Sequence, residues 1–232
     1  DFTSAFFETM SGYTTTGATV LNDIDNAPKG ILFWRSLTQW IGGMGFIVLT
    51  VAILPFFGIG GMQLFMAEAP GITTDKVKPQ IRDTAIRLWL IYVGLTGIEC
   101  ILLLFAVMNF FDAINHSLTT MATGGFSTHQ DSIAYFSSPL IQYIVIAFML
   151  LAGTNFTLIY FALKGKAIKI FSNEEFKTYY SLIIIFSILV SIFIFSRGWG
   201  DYEKSFRDSL FQVVSVITTT GYVTHDFTAW TP

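Results

Sequence analysis

Thr-Thr-Thr-Gly-Ala at residues 14–18 is the first of three places where a short apolar stretch runs into a threonine–glycine step. The others are Thr-Met-Ala-Thr-Gly-Gly at residues 120–125 and Thr-Thr-Thr-Gly-Tyr at residues 218–222. A repeat of this kind in so apolar a chain predicts a pseudo-symmetric assembly around an axis. The steps are 107 and 97 residues apart when they are aligned on Gly17, Gly124 and Gly221.

The composition of the chain is that of a membrane protein. Of its 232 residues, 53% are hydrophobic and 12% are charged, and the mean hydropathy is +0.60. Soluble domains carry about 25% charged residues, so half that share predicts contact with membrane lipid. The net charge of −3 predicts no nucleic-acid partner. The chain begins at Asp1 and ends at Pro232, and we interpret it as the middle of a longer polypeptide.

Four stretches are long and apolar enough to cross the roughly 30 Å hydrocarbon core of a bilayer as helices. They are predicted at residues 36–57, 85–109, 139–163 and 179–196. Shorter stretches precede the threonine–glycine steps, at residues 3–13, 113–122 and 206–219. As helices they would cover about half a membrane, so we expect re-entrant segments covered by other protein. The alternative is a set of ordinary amphipathic helices on the membrane surface.

Lysine and arginine residues indicate the side of the membrane on which each connection lies. Most of the 13 basic residues belong to the connections at residues 58–84 and 164–178 or to the adjoining helix start, so these connections are predicted to be cytoplasmic. The three threonine–glycine steps then face outward. That side has an excess of acidic residues, which would concentrate cations.

This arrangement predicts an all-α integral membrane fold of repeated helix–re-entrant pore loop–helix units. Residues 1–57 would be the second half of one repeat, and residues 85–163 a repeat with the second loop. Residues 179–232 would supply the outer helix and the third loop of the next repeat, truncated before its inner helix. Residues 58–84 and 164–178 are the predicted cytoplasmic connections. Three loops do not close a ring, so a fourth must come from sequence outside the chain or from another chain.

Backbone carbonyls beside a threonine–glycine step are suited to a cation that has lost its water. Such a cation needs several oxygen ligands, and glycine lets successive carbonyls turn toward one axis. The preceding half-depth helix would add the partial negative charge of its C-terminal end. No lysine or arginine occurs within the three steps. The predicted selectivity filter binds potassium at Thr15, Thr16, Gly17, Ala18, Ala122, Thr123, Gly124, Gly125, Thr219, Thr220, Gly221 and Tyr222.

The sequence around these steps resembles that of a known family. Residues 11–18, 122–128 and 217–222 are similar to the pore loops of the Trk/Ktr/HKT superfamily of potassium transporters, and most similar to its bacterial Trk branch. Gln-Trp-Ile-Gly-Gly-Met-Gly-Phe at residues 39–46 and Glu-Ala-Pro-Gly at residues 68–71 are similar as well. The resemblance covers essentially the whole chain.

The resemblance implies potassium uptake by a multi-pass protein of the bacterial inner membrane, and no enzymatic reaction. It implies four units around a pseudo-fourfold pore, a homodimer, and a cytosolic nucleotide-binding regulatory subunit. Glycine in the first loop goes with potassium in this family and serine with sodium, so Gly17→Ser is expected to weaken discrimination against sodium. The gating loop would lie beyond Pro232. The resemblance carries over the filter glycines as Gly17, Gly124 and Gly221.

Two further sets of acidic residues are functional candidates. Asp23, Asp131 and Asp226 follow the filter glycines by five to seven residues. They would either ring the outer mouth and gather potassium or cap the helices that follow. Glu99 lies about 15 Å into its predicted span, where an ionisable residue is a functional candidate. The alternative for Glu99 is a protonated or hydrogen-bonded acid that ties two helices together.

The sequence also bears on three alternative functions: a gated channel, a sodium-permeable transporter and a membrane enzyme. A pore-loop channel gated by voltage or ligand would need an arginine-rich span or a ligand domain, and the sequence shows neither. A sodium-permeable member of the same superfamily would use the same loops. A polytopic membrane enzyme would need paired aspartates, or a serine and a histidine, at matching depths in facing spans. Glu99 stands alone in its span, which disfavours the enzyme.

Overall fold

The computed structural model describes residues 2–45, 80–165, 171–196 and 201–225. Within these ranges the chain is helical, and no strand occurs in them. A π-helical turn, Ile41–Gly45, follows the second helix, and a 3-10 turn, Ser132–Tyr135, precedes the fifth. The helices are α1 (Phe2–Tyr13), α2 (Lys29–Trp40), α3 (Gln80–Phe105), α4 (Phe110–Met121), α5 (Pro139–Ala152), α6 (Phe156–Leu163), α7 (Glu174–Ser196) and α8 (Tyr202–Ile217).

Helices α1, α4 and α8 are the short helices predicted before the three threonine–glycine steps, and their existence is confirmed. They have 12, 12 and 16 residues, which corresponds to lengths of about 18–24 Å. Helix α4 begins before the predicted residue 113 because Asn109 caps it. The Asn109 side chain accepts a hydrogen bond from the Asp112 backbone N–H at 2.9 Å.

The predicted span at residues 139–163 is not one straight helix. Helices α5 and α6 are long and apolar enough to cross a membrane only as a pair, and they are bent by 101° at the break between them. Gly153 ends α5, and the Asn155 side chain starts α6 by accepting a hydrogen bond from the Thr157 backbone N–H at 3.0 Å. Among the described residues, Ile86–Phe105 and α7 are each long and apolar enough to span alone.

The first predicted span, residues 36–57, starts earlier than predicted and is interrupted. Helix α2 begins at Lys29, directly after Pro28. Gly43 has a ψ of −141°, which is not helical, so the backbone breaks within the turn Ile41–Gly45. Helices α3 and α7 begin before the predicted residues 85 and 179, at Gln80 and Glu174. Parts of four predicted features lie outside the described residues. They are the end of the first span (46–57), most of the first connection (58–79), part of the second connection (166–170) and the end of the chain (226–232).

The packing of the helices repeats from one unit to the next. Helices α4 and α8 each pack on the preceding long helix, α3 and α7 respectively. Between units, α2 packs against α4 as α5 packs against α8. The core includes the fully buried Leu103, Met149 and Phe211, whereas α7 exposes Ile184 and Leu189 as a lipid-facing helix does. The chain is therefore an all-helical integral membrane protein of repeated units with re-entrant segments.

Candidate functional site

Each half-depth helix leads into a loop with the same backbone pattern. We define the first loop as residues 14–18, the second loop as residues 122–126 and the third loop as residues 218–222. The second residue of each loop is a threonine in the left-handed region, with φ of 53°, 49° and 58°. The fourth residue is a left-handed glycine, with φ of 76°, 73° and 84°. These residues are Thr15, Thr123 and Thr219, and Gly17, Gly125 and Gly221.

This pattern corrects the predicted register of the second loop. Gly125, and not Gly124, is the equivalent of Gly17 and Gly221, because Gly125 has the positive φ. The hydrogen bonds agree, since the Gly124 N–H donates to the Thr119 carbonyl at 2.9 Å as Thr16 and Thr220 do in their own loops. Glycine adopts a left-handed conformation at little steric cost, which explains its presence at the fourth position of every loop.

The three loops meet backbone to backbone. A Cβ atom on Gly17 would overlap the carbonyl oxygen of Gly124, and a Cβ atom on Gly125 would overlap that of Thr220. No described atom lies within 4 Å of a Cβ atom placed on Gly221, the last of the three glycines. The glycines of the first and second loops therefore allow the next loop to approach directly. The loops lie together, which is the arrangement that the sequence repeat predicts.

A serine of the preceding helix holds the last residue of the first loop and of the third loop. The Ser11 Oγ donates a hydrogen bond to the Ala18 carbonyl at 2.6 Å, and the Ser215 Oγ donates to the Tyr222 carbonyl at 2.7 Å. Ala18 and Tyr222 were predicted as ion ligands. Each of these carbonyls accepts a hydrogen bond that anchors its loop, and it keeps a second lone pair, so its role as an ion ligand stays a prediction.

The second loop is anchored by a side chain from α2. Gln39 is fully buried; its Nε2 donates to the Gly124 carbonyl at 2.7 Å, and its Oε1 accepts from the Phe126 N–H at 3.1 Å. A Cβ atom on Gly124 would overlap this amide, so a glycine is required there for space. Sequence reasoning gave Gln39 no role. The available signal was a glutamine within an apolar stretch, where a buried amide needs partners.

Hydroxyl pairs also distinguish the first and third loops from the second. The Oγ1 atoms of Thr14 and Thr16 are 2.8 Å apart, and those of Thr218 and Thr220 are 2.8 Å apart as well. The second loop has an alanine and a glycine at these two positions. Gln39 therefore supplies the second loop with the hydrogen bonds that the other two loops form through their own side chains.

Glycines at the breaks of the inner helices pack against the start of the next loop. A Cβ atom on Gly43 would lie 3.1 Å from the Cα of Ala122 in the second loop. A Cβ atom on Gly153 would lie 2.9 Å from the Cγ2 of Thr218 in the third loop. Ala122 and Thr218 are the first residues of their loops, so the same close contact occurs twice. The break in each inner helix thus lies beside the following loop.

Acidic side chains of α1 and α4 hold the segments that leave the loops. Glu8 accepts a hydrogen bond from the Val20 N–H at 2.6 Å and one from the Arg35 Nε at 2.9 Å. Asp112 accepts one from the Thr128 hydroxyl at 2.6 Å. Both acids belong to the predicted outer side with its acidic excess. Each forms hydrogen bonds that hold the chain beyond its loop, and the attraction of cations to that side stays a prediction.

Asp112 and Asp208 occupy equivalent positions in α4 and α8 but have opposite electrostatic surroundings. Burial alone would raise the pKa of Asp112, but hydrogen bonds from Thr128 and His129 outweigh it and hold that pKa below its ordinary value. The His129 ring also lies 2.8 Å from the Asp25 carboxylate, so it joins the exits of the first and second loops. Burial raises the pKa of Asp208.

The predicted outer-mouth acids lie in turns. Asp23 accepts hydrogen bonds from the Asn26 N–H at 3.2 Å and the Asn26 Nδ2 at 2.9 Å, so it closes a turn and does not cap α2. Asp131 precedes the 3-10 turn Ser132–Tyr135 without a capping hydrogen bond from its side chain. Both are exposed, and Asp226 lies outside the described residues. The capping alternative is therefore wrong for Asp23 and Asp131, and their role at the mouth stays a prediction.

Half-depth helices that lead into adjoining backbone loops between apolar spanning helices define a membrane protein of the re-entrant-loop class. A family model described as "TrkH: Cation transport protein" matches residues 1–199. The chain belongs to the TrkH family.

Curated relatives extend this similarity over nearly the whole chain. The Trk system potassium uptake protein TrkH of Escherichia coli K12 is 46% identical over 234 residues, which cover 98% of this chain and 48% of that protein. The Trk system potassium uptake protein TrkG of the same strain is 42% identical, covering 99% and 48%. The crystal structure of the potassium transporter TrkH from Vibrio parahaemolyticus matches with a TM-score of 0.83 and 40% identity, covering 100% of this chain and 47% of that chain. The chain thus spans about half the length of these relatives.

Proposed function

We propose that this chain supplies three strands of a potassium-selective filter and takes part in potassium uptake across the bacterial inner membrane. The observation that carries the proposal is the shared left-handed pattern of three loops that contact one another through backbone atoms. Membership of a cation transport family and the names of the relatives support it. Its role is conduction of an ion, and no chemical reaction is assigned to it.

The backbone pattern gives a physical reason for the choice of ligand atoms. Successive carbonyls of an extended strand point in opposite directions, and a left-handed residue at every second position turns alternate peptide planes so that neighbouring carbonyls face one side. Six or more such oxygens replace the water around a cation. Within the described part of the chain, the proposed ligand carbonyls accept no hydrogen bond. They belong to Thr15, Thr16, Gly17, Ala122, Thr123, Gly125, Thr219, Thr220 and Gly221.

The helices add a favourable potential to the loops. Each of α1, α4 and α8 ends where a loop begins, so the negative end of its helix dipole lies beside the proposed ion path. The loops themselves contain no lysine or arginine. A cation at their centre therefore meets partial negative charges and no fixed positive charge.

Potassium is proposed over sodium because of Gly17. A serine there would place its Cβ against the Gly124 carbonyl oxygen and would separate the first loop from the second. A wider or less regular ring of oxygens discriminates poorly between the two ions. A sodium-permeable transporter is the alternative that the experiment below distinguishes.

The proposed pore is completed by parts that lie outside this chain. A fourth loop is required, from sequence outside this chain or from a second chain, to close a pseudo-fourfold ring. We place the three loops on the outer side of the membrane, because most basic residues lie on the connections of the opposite side. A homodimer and a cytosolic nucleotide-binding regulatory subunit are proposed from the family resemblance.

The experiment is ion flux of the complete protein in liposomes. Influx of radioactive rubidium is measured with potassium or sodium as the competing ion. Potassium should compete far better than sodium, and Gly17→Ser should bring the two competitors close together. Gly30→Ser is the matched control, because Gly30 on α2 has open space around it and should tolerate the change. Equal competition in the wild type would favour the sodium-permeable alternative, and absence of flux would contradict the proposal.

A further inference from the structure

Glu99 in α3 is a fully buried acid. Neither carboxyl oxygen has a hydrogen-bond partner among the residues that the structure describes. In the described ranges, no lysine, arginine or histidine forms an ion pair with it. An ionised carboxylate in such a place is very costly, above all inside a membrane. Glu99 is therefore a neutral carboxylic acid, which has one proton to donate.

The groups around Glu99 belong to α4 and to the third loop. The Thr120 hydroxyl adjoins the carboxyl group, although not with hydrogen-bond geometry, and the phenols of Tyr92 and Tyr222 lie within range of its charge. Helix α3 packs directly on α4, and Thr120 is in the last turn of α4 before the second loop. Glu99 thus lies behind the region where the second and third loops meet.

Tyr222 joins the third loop to the end of α4. Its hydroxyl donates a hydrogen bond to the His116 carbonyl at 3.3 Å, accepts one from the Thr120 Oγ1 at 3.4 Å, and is in short contact with the Thr119 hydroxyl. Its carbonyl is held by Ser215 of α8. One fully buried residue therefore fixes the third loop to its own helix and to the preceding unit.

The equivalent residue of the second loop makes a different contact. Phe126 packs beneath the guanidinium group of Arg35, which lies 4.1 Å from the ring centre. A phenyl ring requires no polar partner, whereas a buried tyrosine hydroxyl does. The unpartnered acid is therefore found beside the loop residue that carries a hydroxyl group into the protein interior.

We propose that Glu99 is a positioning residue of the filter: as a neutral acid it stabilises the hydroxyl cluster of Thr119, Thr120 and Tyr222 and so holds the third loop against the second unit. The role rests on the proposed filter function. Glu99 acts through Tyr222 and does not touch the ion. Proton transfer or ion binding at Glu99 would instead require the ionised carboxylate.

The test compares Glu99→Gln with Glu99→Leu in the complete protein, reconstituted in liposomes and normalised to the amount of folded protein. The measurement is rubidium influx under potassium or sodium competition. Glutamine keeps the size and a donor, so discrimination should stay within about 2-fold of the wild type. Leucine removes the polar group from beside the Thr120 hydroxyl, and discrimination should fall by about 5–10-fold, the size of one buried polar interaction.

Two other variants separate positioning from general stability. Thr96→Val removes a buried hydrogen bond between the Thr96 hydroxyl and the Trp40 Nε1, on the same helix but away from the cluster. It should lower the melting temperature without changing discrimination. Tyr222→Phe removes the hydroxyl that joins the third loop to Thr120 and to the His116 carbonyl, and it should reproduce the loss of discrimination seen with Glu99→Leu. It also serves as the test if Glu99→Leu does not fold.

The outcomes are distinct. Full discrimination in Glu99→Leu or in Tyr222→Phe would overturn the inference. A Glu99→Gln variant as poor as Glu99→Leu would overturn it as well, because an ionised group would then be required. Failure of the wild-type protein to distinguish potassium from sodium would instead contradict the proposed function.

Discussion

The second loop differs from the first and third loops in what holds its backbone. In the first and third loops, serine and threonine hydroxyls of the same unit bind the loop carbonyls or one another. In the second loop, Gln39 extends from α2 of the preceding unit and binds both Gly124 and Phe126. The same left-handed backbone pattern is thus stabilised by two different sets of hydrogen bonds. The backbones of two loops are held by hydroxyl groups of their own unit, and the backbone of the second loop is held by a side chain of its neighbour.

The largest expected effect is a difference in influx between alanine variants of two glycines that have the same backbone conformation. Alanine at Gly125 would have to adopt a φ of 73° and would overlap the Thr220 carbonyl, whereas Gly165, which follows α6, has the same φ of 73° but no described atom within 4 Å of its Cβ position. A left-handed backbone alone costs roughly 1–2 kcal/mol. Gly165→Ala should therefore lower stability but leave rubidium influx per folded protein within about 2-fold, and Gly125→Ala should reduce influx by more than about 100-fold. Equal losses in the two variants would contradict the contact between the second and third loops.

A second prediction concerns a variant in which the second loop is made more similar in sequence to the other two. Threonine at Gly124 would overlap the Gln39 amide, so Gly124→Thr should reduce influx by about 10–100-fold. Shortening Gln39 to alanine in the same protein makes room, and the double variant should recover a measurable part of the influx. Gln142→Ala, which shortens a buried glutamine of α5, is the control and should give no such recovery. A double variant no better than Gly124→Thr alone would show that Gln39 does not set this position.

Smaller losses are expected for the serine anchors. Ser11→Ala and Ser215→Ala each remove one hydrogen bond to a loop carbonyl, worth about 0.5–1.5 kcal/mol. Discrimination between potassium and sodium should fall by about 2–10-fold in each. Ser209→Ala is the control, because the Ser209 hydroxyl binds within its own helix, to the Ser205 carbonyl. Unchanged discrimination in both anchor variants would mean that the loops do not depend on these serines.

The smallest effect concerns the equivalent acids Asp112 and Asp208. The pKa of Asp112 is lowered in the folded protein, so its stabilising contribution is present above its unfolded-state pKa of about 4 and is lost as the pH falls through the folded value. The pKa of Asp208 is raised, so its ionisation opposes folding at neutral pH. At pH near 7 Asp112→Asn should lower the melting temperature by a few degrees, and Asp208→Asn should leave it unchanged or raise it. A lower melting temperature in both variants would contradict the assigned surroundings.

The half-depth helices could be predicted from the sequence because their signal is local. Short apolar stretches ahead of three threonine–glycine steps limit the helices to about half a membrane, and α1, α4 and α8 are found there. The break at Gly153 was missed because Gly153, Thr154 and Asn155 interrupt the apolar stretch only briefly, so the stretch as a whole still looks like one span with a cap at Asn155 hidden inside it. Length and apolarity therefore identify segments of a span without revealing where its axis turns.

The register of the second loop could not be predicted because its cause is not local. Two adjacent glycines, Gly124 and Gly125, satisfy the same motif, and the choice between them depends on Gln39, which is 85 residues away in sequence from Gly124. The anchoring roles of Ala18 and Tyr222 depend likewise on hydroxyl groups seven residues earlier. The sequence located the candidate loops. Only the contacts in the folded protein show which of their carbonyls accept a hydrogen bond and which do not.

Anomalous scattering from thallium or rubidium, in a structure of the complete protein grown in that ion, tests the central claim most directly. The predicted result is a column of ion density bordered by the carbonyls of Thr15, Thr123 and Thr219 and by those of Gly17, Gly125 and Gly221. Ion density confined to acidic side chains, or its absence between the three loops, would contradict the claim that their backbone oxygens replace the water of a permeating cation.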